Sequence, residues 1–492
     1  MSIRSRLISI IGVLCLLIME LHVGFMDFIS LSEREEIRYS QKEKIRLWYT
    51  DDALTDYLNS VALEFYEDTD IRVATELVSG SEYLERISDA SLNGEEAPDL
   101  YIVGNDSLGK AYLAGLAMEI DDGGKVVNRQ EYPMASMDAV TFLNRTVAYP
   151  FYFETSYLLY NKTYLEKIAT DVVKEEYLSD GTSEDSEDEE YGAEEELAPE
   201  ILLSEEFSAK VEAKMKELLP NSIEDILDFA DEYDAPENVE TIFEWDVSDI
   251  YYNYFFLGNY LNVGGNTGDD PNNINIYNAS AISCLETYQD LNQFFSIDAE
   301  TVDYASIIRK FIEGKLIFTV ATTDAVATIE QHLAEGEFAY EYGVMKMPNV
   351  NDVLKTRSLS TTNVVAINGY SEHTKAANRL AAYITHDRVD DLYIKTGKMP
   401  ARLNLIYPYP ELQTILYEYA QSISMPKMIE TSNFWIELEL CFTKAWQGED
   451  ANLLLKALSE EMKMQITGFP VEEEYIVMPE KEPEEYVDEG MN

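Results

Sequence analysis

The sequence TVAYPFYFETSYLLYNKTYL at residues 146–165 decides the fold. Four aromatic side chains surround Pro150, and a single carboxylate, Glu154, lies in an otherwise uncharged run that ends at Lys162. This pattern predicts a buried strand, a bend at Pro150 and a second strand that leads into a helix. Aromatic side chains at this density are typical of a core. A carboxylate among apolar neighbours is costly unless it is paired or faces a cavity, so Glu154 is the first candidate for a binding site.

Composition and charge limit the class of protein. With 492 residues, 46% apolar and 12% aromatic, the chain is long enough for two or three domains with real cores. A net charge of −57 argues against nucleic-acid binding, which requires Lys and Arg to neutralise phosphates, and it disfavours anionic membrane surfaces. The acidic stretch 171–206 predicts a solvated, disordered insertion, and residues 467–492 predict a mobile acidic tail.

The N-terminal residues predict export. Arg4 and Arg6 precede the uncharged run LISIIGVLCLLIM at residues 7–19, which is typical of a secretory signal and short for a membrane span. Residues 1–42 are therefore expected to be a signal peptide or a membrane anchor with a linker. A leucine precedes Cys15, which matches a bacterial lipoprotein signal poorly, so tethering by the segment itself is favoured. We expect the protein on the extracellular face of the cell membrane, either tethered through this segment or secreted.

Motifs for metal or cofactor chemistry do not occur. The four histidines share no ligand spacing, and the sequence contains no HExxH, paired CxxC or EF-hand loop. It also contains no glycine-rich phosphate loop and no GxSxG elbow. We expect neither a metal site nor a cofactor. Outside the signal run, Cys284 and Cys441 form one possible disulfide pair.

Strands and helices alternate after the N-terminal segment. The expected elements are strands at 45–49, 71–77 and 100–103, a helix at 54–65 and a helix carrying Tyr83, Leu84 and Ile87. Such alternation predicts parallel βαβ units. In parallel sheets, ligands bind beyond the carboxyl ends of the strands. Asp51, Asp52, Asn105 and Asp106 all follow strand ends and are therefore candidates for a site.

Seven segments resemble, in the same order, signatures of the extracellular solute-binding proteins of ABC importers. The most similar type is the carbohydrate-binding, maltose-binding-protein-like group. The segments are IRLWYTDDALTDYLNSVALEFYEDTDIRVATE (45–76), APDLYIVGNDSLGKAYLAGLAMEID (97–121), VAYPFYFETSYLLYNKTYL (147–165), FIEGKLIFTVATTDAVATI (311–329), LSTTNVVAINGYSEHTKAANRLAAYIT (359–385), GKMPAR (397–402) and MPKMIETSNFWIELELCFTKAWQGE (425–449). Together they span about residues 43–466.

The resemblance implies an α/β fold, a two-lobed periplasmic-binding-protein-like clamshell with hinge strands. Lobe 1 would consist of residues 43–150 and 344–392, and lobe 2 of residues 151–343 and 393–466. The family's activity implies a monomeric protein that captures a small solute between the lobes and delivers it to ABC permease subunits. No catalysis is expected.

The resemblance also implies a set of ligand-binding residues. They are acidic and aromatic side chains at Asp52, Glu76, Asp106, Glu154, Tyr254, Phe255, Asp324 and Trp435. Flat rings suit the apolar faces of a pyranose, and carboxylates accept hydrogen bonds from its hydroxyls. An alternative for Trp435 is a core position beneath Phe434.

The sequence departs from the maltose-binding pattern at four positions. Val103 and Asp324 stand where that pattern has tryptophan, and Ala53 and Ser107 stand where it has lysine and arginine. The cleft is therefore expected to be rich in carboxylates. The ligand class that we expect first is a sugar, as a smaller polyhydroxylated molecule. The second candidate class is an aminated solute.

Two other functions are compatible with the sequence. A glycoside hydrolase would use two carboxylates about 5 to 10 Å apart, and turnover of oligosaccharides would reveal it. A tethered sensor subunit would pass closure of the lobes to a signalling partner, and neighbouring genes would distinguish it from a transport protein.

Overall fold

The computed structural model describes residues 43–93, 96–120, 122–181, 197–431 and 433–479. The strands are β1 (Lys44–Tyr49), β2 (Arg72–Leu77), β3 (Leu100–Gly104), β4 (Thr141–Phe142), β5 (Arg145–Thr146), β6 (Tyr149–Asn161), β7 (Thr241–Phe243), β8 (Asn262–Val263), β9 (Ile274–Asn275), β10 (Leu316–Thr322), β11 (Tyr342–Met345), β12 (Leu359–Ile367), β13 (Met399–Pro400) and β14 (Ile423–Ser424).

The α-helices include long amphipathic elements and several of one or two turns. They are α1 (Thr55–Thr69), α2 (Tyr83–Asn93), α3 (Leu108–Leu113), α4 (Met134–Val140), α5 (Lys162–Gly181), α6 (Pro199–Leu202), α7 (Glu205–Glu217), α8 (Ile223–Glu232), α9 (Ala279–Phe295), α10 (Tyr304–Ile312), α11 (Ala325–Glu335), α12 (Thr374–Ala382), α13 (Leu392–Thr396), α14 (Glu411–Gln421), α15 (Phe434–Trp446) and α16 (Ala451–Thr467). Short single-turn helices also occur at Asp52–Leu54, Asn105–Ser107, Ile250–Tyr252, Tyr254–Phe256, Val389–Asp391 and Ile429–Thr431, and a π-helical turn at Tyr383–Asp387.

The first strands form the parallel βαβ units that the sequence predicts. β1 pairs in parallel with β2 on one side and with β3 on the other, and α1 and α2 supply the crossovers. Parallel pairing brings the carboxyl ends of β1 and β3 to the same edge of the sheet. The loops at that edge therefore carry the acidic residues that follow each strand.

The stretch around Pro150 is one strand rather than the two strands and a bend that the sequence predicts. β6 runs through Pro150 without interruption and leads directly into α5, which is the predicted helix. Its pairing with β12 changes register there, because Asn363 lies opposite Tyr152 and Val364 lies opposite Pro150. Phe151 is thus the extra residue of a β-bulge. A bulge accommodates a proline, which has no N–H for the ladder, so the strand continues.

β6 and β12 connect the hydrophobic core around β1 to β3 with two further hydrophobic cores. The first half of β6 pairs with β12, and the second half pairs with β10 and β11. Tyr152 packs in the core of β1, β2 and β3, whereas Phe153 packs with α10, α11 and α14. In β12, Leu359 belongs to a core of the second half of the chain, whereas Val364 belongs to the core of β1 to β3. The fold is therefore a two-lobed α/β structure whose lobes share crossing strands.

Parts of the acidic stretch 171–206 are helical, which corrects the expected disordered insertion. α5 continues to residue 181, and α6 and α7 begin before residue 206. Val173 is buried with Phe207 and Val211 in a small separate cluster. Helical spacing places apolar side chains on one face, so the remaining acids can stay in solvent. Residues 182–196 lie outside the described residues.

Parts of the segment 473–478 pack against the protein, although the sequence predicts a mobile acidic tail. The Ile476 carbonyl accepts a hydrogen bond from Asn452 Nδ2 at 2.8 Å, and the Ile476 N–H donates a hydrogen bond to the Tyr277 hydroxyl at 2.9 Å. Met478 packs on the same core. The tail beyond residue 479 lies outside the described residues.

This packing predicts a measurable contribution to stability. Replacing Ile476 with alanine should lower the free energy of unfolding by about 1 kcal/mol, because a half-buried side chain loses its contact with the core. Val477 is a matched control, since its side chain is 85% exposed and its replacement by alanine should change little. Urea denaturation measures both. Equal effects of the two substitutions would show that the segment does not dock in solution.

Both cysteines of the body are free and buried, so the possible pair Cys284–Cys441 is not a disulfide. Burial raises the pKa of each thiol to about 12. Within the described part of the chain, no helix has the length and apolar character needed to cross a membrane. The predicted signal or anchor at residues 1–42 lies outside that part.

Candidate functional site

The acids that follow β1 and β3 lie at one edge of the sheet. Asp51 begins the single turn Asp52–Leu54, and its side chain accepts a hydrogen bond from the Ala53 N–H at 3.1 Å. Asp52 is exposed beside it. Asn105 is fully buried and has a structural role, because its amide contacts β12 at Thr362 N (2.9 Å) and the residue after β14 at Met425 O (3.0 Å).

Lys398 joins two carboxylates from different elements. Its Nζ lies 2.9 Å from Asp51 Oδ2 and 3.4 Å from Glu154 Oε1, and 5.6 Å from the centre of the Tyr152 ring. Burial opposes the charge of Lys398, but the hydrogen bond to Asp51 and the charge of Glu154 outweigh it and raise its pKa. For Tyr152, burial followed by the charges of Asp51 and Glu154 raises the pKa of the phenol. Sequence reasoning missed Lys398 although the GKMPAR motif contains it.

Asp106 lies in the single turn that follows β3, close to β12. The residue is exposed, and the protein atoms around its carboxyl raise its pKa by displacing part of the water that would solvate the charge. It folds back over Gly104, where a Cβ would lie only 2.6 Å from Asp106 Oδ1 and 3.9 Å from Thr361 Cγ2. Thr361 pairs with Glu154 across β12 and β6. The structure therefore brings the predicted residues Asp106 and Glu154 to the same part of β12, near Thr361.

Tyrosines extend the site from Glu154 to Asp324. Burial first, and then the charge of Glu154, raise the pKa of Tyr251, which also lies against Thr361. The Tyr251 and Tyr252 rings are 6.2 Å apart, and Tyr252 stacks on Tyr304 at 4.8 Å. The Tyr304 hydroxyl donates to Asp324 Oδ1 at 3.3 Å. These contacts join Tyr251 through Tyr252 and Tyr304 to Asp324, and the charge of Glu154 acts on the Tyr251 end of the row.

Two of the predicted aromatic residues lie in the core instead. Tyr254 is 2% exposed and Phe255 is 0% exposed, so neither ring is open to a ligand in this structure. In the run YYNYFF, the rings from Tyr254 onward are buried in the second of two single-turn helices. The first two tyrosines differ, because after burial the charge of Glu154 raises the pKa of Tyr251 and that of Asp324 raises the pKa of Tyr252. The sequence alone could not show which of these neighbouring aromatic residues are buried. That distinction depends on the single-turn helices, which the sequence did not predict.

Trp435 and Glu76 lie apart from the cluster around Lys398. The half-buried Trp435 ring is 5.7 Å from the Tyr254 ring and 5.2 Å from the Phe434 ring, so it covers the core and keeps one part exposed. Glu76 accepts a hydrogen bond from Trp48 Nε1 at 3.0 Å on the outer strand β2. The described contacts do not join either residue to Lys398.

A cavity of about 560 Å³ adjoins the far end of the row of tyrosine rings. Tyr304 and Asp324 are among its lining residues, and Arg309 and His332 line it from α10 and α11. Among the described residues, no group of three or more His, Cys, Asp or Glu side chains is arranged to hold a metal ion. The polar groups here suit hydrogen bonds to an organic ligand.

Comparison with known families decides what kind of protein presents this site. Residues 51–389, more than half of the chain, match the family of bacterial extracellular solute-binding proteins. The chain belongs to this family. The sequence matches none of the curated proteins with which it was compared.

Solved structures of other solute-binding proteins share the fold. An extracellular solute-binding protein from Staphylococcus aureus in complex with maltose is 18% identical, with a TM-score of 0.66 over 87% of this solute-binding protein and 98% of that chain. A cyclo/maltodextrin-binding protein with maltotetraose is 18% identical, with a TM-score of 0.67 over 88% and 99%. MalE from Listeria monocytogenes with maltose is 17% identical, with a TM-score of 0.61 over 88% and 100%. At these identities the likeness establishes the two-lobed fold alone.

Proposed function

We propose that this solute-binding protein captures a sugar or oligosaccharide between its lobes and delivers it to the permease of an ABC transporter. The observation that carries the proposal is the row of tyrosine rings Tyr251, Tyr252 and Tyr304, which ends at Asp324 and is influenced at Tyr251 by the charge of Glu154. Rings offer apolar faces to pyranoses, and the acids accept hydrogen bonds from hydroxyls. Structurally similar proteins bind maltose and maltotetraose, which supports a carbohydrate ligand.

The proposed contacts combine predicted and newly found residues. Ligand contacts are proposed for Asp52, Glu76, Asp106, Glu154, Asp324, Trp435, Tyr251 and Tyr252. Tyr254 and Phe255 would support Trp435 from the core rather than touch the ligand. The ligand would select the closed form because only that form contacts it from both lobes.

Core membership supports lobe boundaries close to those expected from the sequence. Tyr152 and Leu392 belong to the core of the first lobe, and Phe153 and Tyr393 to a core of the second. We propose that the return to lobe 1 takes place within β12 rather than at residue 344, because Met347, Val350 and Leu359 pack in the second lobe.

The finer points of location and assembly are also proposals. Membership of an extracellular family accords with export, and we propose tethering by residues 1–42 and a monomeric state. We further propose that the protein releases its solute unchanged, as a binding protein does. Oligosaccharides recovered intact after incubation with the purified protein would support this, and their cleavage would contradict it.

Replacing Asp106 with asparagine tests the site. We expect sugar affinity to fall by about 1 to 2 kcal/mol, because a hydroxyl loses a charged acceptor. Since burial raises the pKa of Asp106, its charge costs stability at neutral pH, and that cost disappears in acid where the group is protonated. The melting temperature at pH 7 should therefore stay equal or rise, and this gain should vanish at low pH.

Calorimetric titration and thermal unfolding against a panel of neutral oligosaccharides measure these effects. Asp352 is the matched control, because it is exposed in a loop of the second lobe and its replacement by asparagine should leave affinity unchanged. A binding loss accompanied by a lower melting temperature would assign Asp106 a structural role. Failure of every sugar to bind the wild-type protein would contradict the proposed function.

A further inference from the structure

The backbone holds Lys398 beside β6. Helix α13 ends at Gly397, whose φ of +71° turns the chain, and the Lys398 N–H donates to Thr396 Oγ1 at 3.0 Å. β13 then pairs with β6, with Met399 opposite Phe153. The lysine that precedes this pair consequently lies alongside Glu154, 244 positions away in sequence.

The ammonium group of Lys398 is held by two carboxylates and an aromatic ring. An ammonium has three donors and no acceptor. Lys398 Nζ lies 2.9 Å from Asp51 Oδ2 and 3.4 Å from Glu154 Oε1. The centre of the Tyr152 ring lies 5.6 Å from the same nitrogen. The side chains of Asp51, Glu154 and Lys398 are 26%, 40% and 25% exposed, so a ligand can reach this group while the charges stay partly shielded from water.

The charge balance of this group bears on the choice of ligand. Two carboxylates that converge from β1 and β6 would by themselves attract a ligand cation, and the strongly acidic protein would add to that attraction. Lys398 occupies the position between them. An amine arriving there would meet an ammonium instead of two free carboxylates, and like charges at close range disfavour binding.

We propose that Lys398 determines ligand class, directing the cleft to uncharged, hydroxyl-rich solutes and excluding aminated ones. The proposal rests on the proposed function and narrows its two ligand classes to one. Asp51 and Glu154 keep acceptor oxygens for hydroxyls, and Lys398 can donate to a ring or hydroxyl oxygen. A neutral sugar can thus satisfy the group without displacing the lysine.

The test compares glucose with glucosamine, which differ in one hydroxyl and one amine, and maltotriose with the trimer of glucosamine. Titration calorimetry on the complete exported protein gives the ratio of the two affinities. Lys398→Met should shift this ratio toward the aminated ligand by about tenfold or more, because two carboxylates lose their cation. Lys398→Arg keeps the charge and should keep the wild-type ratio.

Lys395→Met is the matched control. It removes the same charge one turn away, where Lys395 pairs with Asp391 at 3.4 Å outside the cluster. An equal shift in Lys395→Met and Lys398→Met, or no shift in Lys398→Met, overturns the proposal. If Lys398→Met does not fold, Glu154→Gln provides the reverse test. It leaves one carboxylate, Asp51, beside the ammonium and so removes the net negative charge of the group. The affinity for the amine relative to the neutral sugar should therefore fall further, and an unchanged or higher relative affinity overturns the proposal.

The outcomes separate this inference from the proposed function. Wild-type protein that binds no neutral sugar contradicts the function. In that case, a gain of glucosamine binding in Lys398→Met still supports the role of the lysine, and the lack of any gain overturns it.

Discussion

Replacing Tyr419 with alanine should lower the free energy of unfolding by about 3 to 5 kcal/mol, the range for deleting a fully buried aromatic ring. Tyr419 lies in α14 and stacks on Phe153 with ring centres 3.8 Å apart and planes 5° from parallel. Its hydroxyl is 2.7 Å from Thr362 Oγ1 and 2.9 Å from Ser136 Oγ. The side chain thus joins both crossing strands to α4 and α14. Its loss leaves a cavity and takes a hydrogen-bond partner from Thr362, whereas the Ser136 hydroxyl keeps its hydrogen bond to the Ala401 carbonyl at 2.9 Å.

Two further variants on the same helix isolate the cause. Tyr419→Phe keeps the ring and removes the hydroxyl, so it should cost about 1 to 3 kcal/mol. Tyr417→Ala removes an equal ring that is 67% exposed and should cost less than about 0.5 kcal/mol. Urea denaturation followed by circular dichroism measures all three. Similar losses for Tyr417→Ala and Tyr419→Ala would show that the stack at the crossing strands does not stabilise the fold.

Lys427 should make stability depend on pH. It is 1% exposed, and its Nζ donates to the Asp138 carbonyl at 2.8 Å. Burial lowers the pKa of Lys427 to about 8, against the opposing charges of Asp269 and Asp138. The unfolded chain keeps the lysine proton up to its ordinary pKa of about 10.4. Between these values the unfolded state binds more protons, so this group makes the folded state more stable as pH rises.

The comparison of Lys427→Met with wild type measures this contribution. Buried cysteine thiols and tyrosines have raised pKa values and act in the opposite sense at alkaline pH, but they are common to both proteins and cancel in the difference. The unfolding free energy of the variant minus that of wild type should fall by about 2 kcal/mol from pH 7 to pH 10.

An exposed lysine supplies the control for this titration. Lys125→Met removes the same charge at the surface, and its difference from wild type should stay nearly constant over the same pH range. A constant difference for Lys427→Met as well would mean that the lysine remains charged in the folded protein.

Local pattern accounts for what the sequence predicted correctly in the first lobe. The helices and strands from β1 to β3 have clear periodicity, and their parallel pairing follows from the alternation itself. Residues 171–181 show where local pattern is insufficient. Their acidity indicates a solvated segment. Val173 nevertheless packs against Phe207 and Val211, which are more than 30 residues later in the sequence, and this burial stabilises a helix.

The sequence alone determined the family and the two-lobed α/β fold, because both depend on the order of motifs and elements along the chain. That Asp106 and Glu154 contact the ligand stays a prediction. Only the tertiary structure decided that Pro150 lies in a continuous bulged strand, that Tyr251 and Tyr252 rather than Tyr254 and Phe255 face the acids, and that Lys398 lies between Asp51 and Glu154. The physical reason is distance along the chain. Lys398 and Glu154 are 244 positions apart in the sequence, so their charges interact only after folding brings β13 beside β6.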